Sequence, residues 1–330
     1  MKYKAVVVTQ RGGPEQLKIV EKERRLPSGD EALIRVLATP VCQDDVAVRV
    51  GNRPFLKKTP FTPGYTCVGV VEEVGAAVTA VAIGDRVAAL TNYDSHAEIV
   101  YWPADKLVKL PDLLDSIAAV TLILNYLVAY QILHRVAQVK AGDTVLIVGA
   151  SGGVGTAFLQ LGQLAGLKMY GLASASKQQI LRRYGAVPID YRSQDFVGVL
   201  RQAEPGGLDY VFNGMDHDYF ARGLSVLHRG GKLVHYGGPQ SFARFLLLIA
   251  KLGFYNLLPN GKKIIGYGTH RLGVELFQED WATLFGLLAA GKIKPVVAQT
   301  LPFADVVAAN RLLENGRITG NIVLTIADQS

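Results

Sequence analysis

The order of apolar runs along this chain predicts an α/β protein of two domains, in which a doubly wound parallel sheet is combined with a β-rich domain. Three observations carry that prediction. From residue 144 onward, short β-branched runs alternate with helix-length stretches, a pattern that builds a parallel sheet covered on both faces. A glycine-rich turn, Gly149-Ala150-Ser151-Gly152-Gly153-Val154-Gly155, follows the first of those runs directly. The length of 330 residues, at roughly 150 per domain, suits two domains.

The elements follow in order. Tyr3–Thr9, Leu17–Glu21 and Glu31–Ala38 read as strands separated by Gly12-Gly13-Pro14 and Pro27-Ser28-Gly29-Asp30. The Gly64–Gly75 segment alternates small and β-branched residues, and Gly84-Asp85-Arg86-Val87 reads as a turn feeding a strand into Ala88–Leu90. Ile117–Leu133 is apolar and uncharged, and is read as a buried helix near a domain boundary. The alternating region supplies strands at Thr144–Gly149, Lys168–Leu172, Val187–Asp190, Asp209–Phe212 and Lys232–Tyr236. Helices are expected between them at Gly153–Ala165, Lys177–Tyr184, Asp195–Arg201 and Phe220–Leu227. The tail reads as a helix at Trp281–Ala290, a strand at Val296–Leu301, a helix at Ala304–Glu314 and a last strand at Ile322–Ile326. It resembles the β-rich opening more than the middle, so it is expected to fold back onto it. The expected domains are 1–120, 121–265 and the return segment 266–330.

Composition excludes several classes. Hydrophobic residues make up 49% and charged residues 19%, too apolar for a disordered chain. Two cysteines, Cys42 and Cys67, without a CxxC pair argue against a disulfide framework or a cysteine-rich zinc lobe and fit a reducing, cytoplasmic compartment. Ala5–Val8 is too short for a signal-peptide core. Apolar stretches such as Phe245–Ala250 fall short of the roughly 20 residues of a spanning helix. The net charge of +7 asks for an explanation, but basic residues occur as scattered pairs such as Lys57-Lys58 and Arg182-Arg183, which argues against nucleic acid. The six histidines, among them His96, His134, His217 and His270, show no metal-binding spacing and read as surface or core residues.

The glycine-rich turn carries the chemistry. In a dinucleotide fingerprint one small residue makes the tight turn, one glycine lets the backbone approach the pyrophosphate, and a third lets helix and strand pack closely. Those places fall to Ala150, Gly152 and Gly155, with Ser151, Gly153 and Val154 completing the cradle at a helix N-terminus that favours an anion. An NAD site places a carboxylate about 20 residues on, for the ribose 2′-hydroxyl. Here that stretch is Gly171-Leu172-Ala173-Ser174-Ala175-Ser176-Lys177, which has none. Ser174 and Lys177 are suited to a 2′-phosphate, with Tyr191 placed to close over it, so NADPH is the expected cofactor. The alternative is that Ser176 caps the next helix and Lys177 is a solvated first-turn lysine.

Taken together, Lys4-Ala5-Val6, Pro63-Gly64-Tyr65-Thr66-Cys67-Val68-Gly69, Gly84-Asp85-Arg86-Val87, the Gly149–Gly155 loop, Gly185-Ala186 and Gly230-Gly231-Lys232-Leu233-Val234 resemble the medium-chain dehydrogenase/reductase superfamily. Within it the chain is similar to the zinc-independent quinone oxidoreductase, zeta-crystallin-like branch. The resemblance implies a Rossmann-type nucleotide domain inserted into a GroES-like catalytic domain built from both chain ends. It further implies an active cleft between the two and pairing into a homodimer.

Departures from the zinc-dependent branch are informative. Cys42 falls at a zinc-ligand position, but Gly64-Tyr65-Thr66 replaces Gly-His-Glu, and a tyrosine lacks the imidazole nitrogen such a site needs. No metal is expected. Without a Lewis acid, hydride acceptors that spread charge by conjugation suit the site, so the expected substrate is a quinone or an α,β-unsaturated carbonyl. The resemblance places Cys42, Asp45, Tyr65, Asn125 and Tyr126 in the catalytic cleft, with Gly237 and Gly238 near the nicotinamide. Zinc-independent relatives often carry asparagine at the Cys42 position and tyrosine two places beyond Asp45, where this chain has Ala47. Asn125 and Tyr126 interrupt an apolar helix and need partners whether their role is functional or structural. Asp45 is expected chiefly to orient a neighbouring arginine such as Arg49. Finally, Ser241–Tyr255 is apolar with two basic residues; a dimer interface is the favoured reading and membrane contact the other. A binding protein without turnover, as among vesicle-membrane relatives, is the non-enzyme alternative.

Overall fold

The computed structural model describes residues 1–54, 56–215, 219–239, 241–269 and 274–326. His217 and His270 lie outside the described residues. The chain divides into two compact units, residues 1–127 with 274–330, and residues 128–273.

The first unit is β-rich. β1 (Lys2–Val8) and β2 (Leu17–Glu23) form an antiparallel ribbon, with Lys2 opposite Glu23 and Val8 opposite Leu17. β3 (Glu31–Val41) is the spine of a mixed sheet with β4 (Thr66–Val74), β5 (Arg86–Leu90), β6 (Ile99–Pro103) and β7 (Val108–Lys109). It pairs antiparallel with β4 on one edge, and its Ala32, Leu33, Ile34 and Val36 are fully buried, with Arg35 between them paired to Glu72.

The second unit is an all-parallel sheet of β8 (Thr144–Val148), β9 (Lys168–Leu172), β10 (Val187–Ile189), β11 (Leu208–Asn213), β12 (Leu227–His235) and β13 (Lys263–Gly266). Their spatial order is β10-β9-β8-β11-β12-β13, so the winding reverses between β8 and β11. Ligands of open α/β sheets lie beyond the carboxyl ends of the strands at such a reversal. The interior is packed by Leu146, Leu172, Phe196, Val211 and Leu233, with Phe158 of the Gly153–Leu164 helix stacked on Phe212, 4.8 Å between centroids.

The return segment completes the first unit. β14 (Val297–Pro302) runs parallel to β15 (Asn321–Thr325), and β15 lies antiparallel to β3, with Ile322 opposite Val41 and Leu324 opposite Thr39. Val306, Ala309, Ile322 and Leu324 share one core with Val6, Val8 and Val41.

Several expectations are corrected. The expected Ile117–Leu133 helix runs from Ser116 to Ala137 and by length and composition is apolar enough to cross a membrane, so one stretch does approach that length. Within the fold, 72% of its most apolar window is buried, which makes it a core helix. It contains π-helical turns at Leu122–Tyr126 and Ile132–Ala137; in the first of them the Ile123 carbonyl accepts a hydrogen bond from Trp281 Nε1 at 3.1 Å. The unit division falls inside this helix, after Leu127 rather than residue 120. The helix at Gln43–Val50 and the strands β6 and β13 had no sequence expectation, because each is short and lacks a clear apolar period. The apolar segment after β12 forms a helix, Phe242–Leu257.

Candidate functional site

In the first unit, the backbone around Cys42 is tied together by one carboxylate. Asp45 Oδ2 accepts the Cys42 backbone N–H at 2.9 Å and the Cys42 thiol at 3.0 Å, while Oδ1 accepts the Gly64 N–H at 3.0 Å. Asp45 is 3% exposed, so these bonds are made out of water, where an unmet donor costs most. Cys42 caps the Gln43–Val50 helix, and Asp45, its third residue, reaches back to the cap N–H, which makes a capping box. Gly64 has φ +106°, and a Cβ there would sit 2.2 Å from the His96 backbone nitrogen. Only glycine fits this turn. The buried His96 places Nε2 3.0 Å from the Pro40 carbonyl, so that nitrogen carries the proton, and 3.9 Å from Asp45 Oδ2.

Asp45 therefore does not orient Arg49, as the sequence reading had it. The buried Arg49 bonds the Gly12 carbonyl and pairs with Glu314 of the return segment. Both Asp45 oxygens are already taken by Cys42 and Gly64, so Arg49 finds its partners in Gly12 and Glu314 instead.

Burial first, then the Asp45 and Asp44 carboxylates, pushes the Cys42 thiol well above its ordinary range. A thiol donating to a carboxylate and held protonated is neither a nucleophile nor a metal ligand. Burial also raises the Tyr65 phenol, with Asp44 adding to it, so its hydroxyl stays protonated. Zinc does not fit here: the thiol is engaged, Tyr65 offers no imidazole, and no group of three or more His, Cys, Asp or Glu among the described residues is placed to hold a metal ion. Asn125 Nδ2 donates to Asn321 Oδ1 at 2.5 Å, and Asn321 Nδ2 donates to the Val296 carbonyl at 2.9 Å. Asn125 thus ties the long helix to β15, the structural alternative for that residue. Tyr126 is fully buried in the same helix. Cys42, Asp45 and Tyr65 are neighbours through Gly64; Asn125 bonds into the return segment instead.

In the second unit the glycine-rich turn leaves β8 at the sheet reversal. Gly149 has φ +80°, and its carbonyl accepts the Gly152 N–H at 3.1 Å. The tight-turn residue is therefore Gly149 and not Ala150, which needs no positive φ. Ala150 instead donates its N–H to the Leu172 carbonyl at 3.2 Å, and its Cβ fills the space a side chain at Gly171 would need. Gly155 is the packing glycine, since a Cβ there would sit 2.3 Å from the Gly149 carbonyl oxygen. Gly152 is exposed, with Gly149 O at 3.6 Å the nearest atom to an added Cβ, and it caps the Gly153–Leu164 helix without a side-chain acceptor. Ser151, Gly153 and Val154 are half-buried around it. First-turn N–H groups lacking a cap suit an anion, and the open cradle fits a pyrophosphate.

Beyond β9, Ser174 is buried and opens a 3₁₀ turn, Ala175–Lys177, whose closing Lys177 N–H donates to the Ser174 carbonyl at 2.9 Å. Ser176 is exposed and does not cap the next helix, Gln178–Arg183, whose cap position is Lys177. Burial, then the positive charge of Arg192, lowers the Lys177 ammonium. Lys177, close enough to Arg192 to feel its charge and three residues on from the buried Ser174, is suited to a phosphate. The Arg192 guanidinium lies 5.8 Å from the ring centroid of Tyr191, which is 45% exposed. Arg192 was missed from sequence; the signal was an arginine directly after Tyr191, just past β10. Past β12, Gly237 packs against backbone, a Cβ there meeting Met215 O at 2.7 Å, and Gly238 is exposed.

Comparison with known proteins fits both halves. Residues 28–112 match the alcohol dehydrogenase GroES-like domain, and residues 184–324 match the zinc-binding dehydrogenase family. The chain is 32% identical to the human synaptic vesicle membrane protein VAT-1 homolog-like over 98% of its own length and 81% of that protein. It is 30% identical to a Pongo abelii quinone oxidoreductase over 98% of each. The chain belongs to the medium-chain dehydrogenase/reductase superfamily, in its quinone oxidoreductase branch. Among solved structures of this superfamily, the Escherichia coli quinone oxidoreductase in complex with NADPH superposes with a TM-score of 0.88 at 26% identity, over 98% of this chain and 99% of that one.

Proposed function

We propose that the chain is an NADPH-dependent reductase that delivers hydride to a quinone or an activated, α,β-unsaturated double bond without zinc. The observation that carries the cofactor reading is the Lys177–Arg192 cation pair beside Ser174, at the place where a 2′-hydroxyl site would need a carboxylate. Support for the reductase reading comes from the NADPH complex of the Escherichia coli quinone oxidoreductase and the kinship to the Pongo enzyme.

When bound, NADPH supplies the hydride; the protein's part is to hold and orient. Gly152 and the first turn of Gly153–Leu164 would hold the pyrophosphate, and Ser174, Lys177 and Arg192, with Tyr191 nearby, would hold the 2′-phosphate. The Asp45 capping box fixes Cys42 and the Gly64–Tyr65 turn, and burial keeps the Tyr65 phenol protonated, in the form that can donate to an acceptor oxygen. Cys42 and Asp45 position this turn rather than transfer protons. A homodimer in the cytoplasm is the setting this reading expects.

The test is titration of NADPH and NADH into the purified chain, followed by oxidation assays over quinones and enones. NADPH is expected to bind at least about tenfold tighter, as one charge-assisted phosphate contact commonly contributes. Equal affinity would sink the phosphate argument. A second reading is a weakly catalytic NADPH-binding protein, favoured by the VAT-1 relatives; tight NADPH binding without oxidation by any acceptor would select it. One tightly bound zinc per chain would overturn the zinc-free chemistry.

A further inference from the structure

At the carboxyl end of β12 the fold leaves one polar group unused. Tyr236 is the first residue after that strand, and its backbone N–H donates to the Asn213 carbonyl at the end of β11, at 3.0 Å. Its ring lies against Gly214: a Cβ there would sit 2.4 Å from the ring and 2.6 Å from the phenol oxygen, so glycine is what leaves room for it. Phe158 packs on the same ring, 5.5 Å between centroids. Among the described residues no group hydrogen-bonds the Tyr236 hydroxyl, and burial alone, with no charge or hydrogen bond adding to it, raises the phenol above its ordinary range. Phe158 and Phe212, stacked alongside, fill their places without a hydroxyl, so packing does not call for one at Tyr236. A protonated phenol without an acceptor is a cost that a ligand can remove.

The loop after β11 ties this phenol to the glycine-rich turn. Asn213 Oδ1 accepts the Met215 N–H at 2.9 Å, and the Met215 sulfur lies 3.5 Å from where a Cβ on Gly149 would be. The Met215 carbonyl in turn lies 2.7 Å from where a Cβ on Gly237 would be. Gly149, Met215, Gly214 and Tyr236 are thus one continuous packing across the carboxyl ends of β8, β11 and β12. Ser174 and Lys177, the residues for the 2′-phosphate, follow β9 on the other side of β8 in the strand order. A dinucleotide with its 2′-phosphate beyond β9 and its pyrophosphate at Gly152 therefore carries its nicotinamide half over β11 and β12.

We propose that the Tyr236 hydroxyl donates a hydrogen bond to an oxygen of that nicotinamide half and so positions the hydride-bearing ring. The half offers acceptors in its phosphate, its ribose hydroxyls and its carboxamide oxygen, and the protonated phenol is a donor that needs one. This inference rests on the NADPH reading above. It differs from that reading in what it selects: the nicotinamide half is the same in NADPH and NADH, so Tyr236 adds affinity without choosing between them, whereas Lys177 and Arg192 choose.

The experiment is calorimetric titration of the full chain and its Tyr236→Phe variant with NADPH, NADH and adenosine 2′,5′-bisphosphate, beside thermal melting of both without cofactor. The melting transition is expected to stay where it is, because no bond inside the protein is lost. NADPH and NADH should each bind about fivefold more weakly to the variant, as the loss of one neutral hydrogen bond gives. Adenosine 2′,5′-bisphosphate carries the 2′-phosphate without the nicotinamide half, and should bind parent and variant alike. Unchanged NADPH affinity in the variant overturns the proposal. So does a lowered melting transition, which would show the hydroxyl bonded within the protein, and so does a loss that the bisphosphate shares. A parent chain that binds neither dinucleotide sinks the cofactor reading and this inference with it; a parent that binds NADPH and a variant that binds it equally well sink this inference alone.

Discussion

Two helix N-termini in this molecule are finished in opposite ways. At Gln43–Val50 the chain supplies its own anion: Asp45 bonds the Cys42 N–H and thiol and reaches across to Gly64. At Gly153–Leu164 the cap is Gly152, which has no side chain to offer and stands exposed. Both ends carry the same unmet N–H groups and the same dipole. One is closed internally and therefore holds backbone in place; the other is left open and can take a foreign anion. A carboxylate near reacting groups is thus not by itself a catalytic acid, and an uncapped glycine end is the more functional of the two.

The comparison breaks most readily at its glycines. Gly64→Ala places a Cβ against the His96 backbone at positive φ and should cost about 3 kcal/mol or more in thermal or denaturant unfolding. Gly155→Ala should cost a similar amount, because the Gly149 carbonyl cannot yield. Gly152→Ala should leave stability nearly unchanged yet weaken NADPH in a calorimetric titration; a large loss of stability would deny that this cap is open. Asp45→Ala strands the Cys42 and Gly64 N–H groups and should cost about 2 to 3 kcal/mol, with Asp45→Asn milder because one oxygen still accepts. If Asp45→Asn instead keeps full stability and abolishes hydride transfer, the carboxylate is an acid after all.

A smaller effect sharpens the open end. Arg192→Ala should weaken NADPH about tenfold and leave NADH unchanged, matching Lys177→Ala in the same titration. If both cofactors weaken alike, the arginine supports the fold alone. The smallest effect concerns the closed end. With both thiols buried, Cys42 raised well above its usual range and Cys67 pushed up to about 12, the native chain should resist iodoacetamide at neutral pH. Reactivity should rise only as pH climbs toward those raised values, or at once on unfolding. Rapid labelling of Cys42 in the native state would show a thiolate that this capping box does not permit.

Much of the fold was legible in the residues. The parallel strands are near-continuous apolar runs because both faces are covered, and Asp195 before Phe196–Ala203 caps that helix through bonds to Val197 and Gly198. Short elements without a period, such as Gln43–Val50 and β13, were not legible, nor was the turn glycine, since positive φ at Gly149 rather than at Ala150 depends on how the loop meets β9.

By itself the sequence determined the nucleotide fingerprint, the missing carboxylate after β9 and the absence of a histidine at Tyr65. These are local: each rests on residue types within one turn or one strand, whose conformational preferences act before any tertiary contact forms. Tertiary structure alone decided that Asp45 bonds Gly64 across nineteen positions, that Arg49 turns to Glu314, that Asn125 meets Asn321, and that Arg192 crowds Lys177. Partners so far apart in the chain are chosen by which surfaces the cores bring together, and burial then makes each polar group bond to whatever neighbour that packing provides.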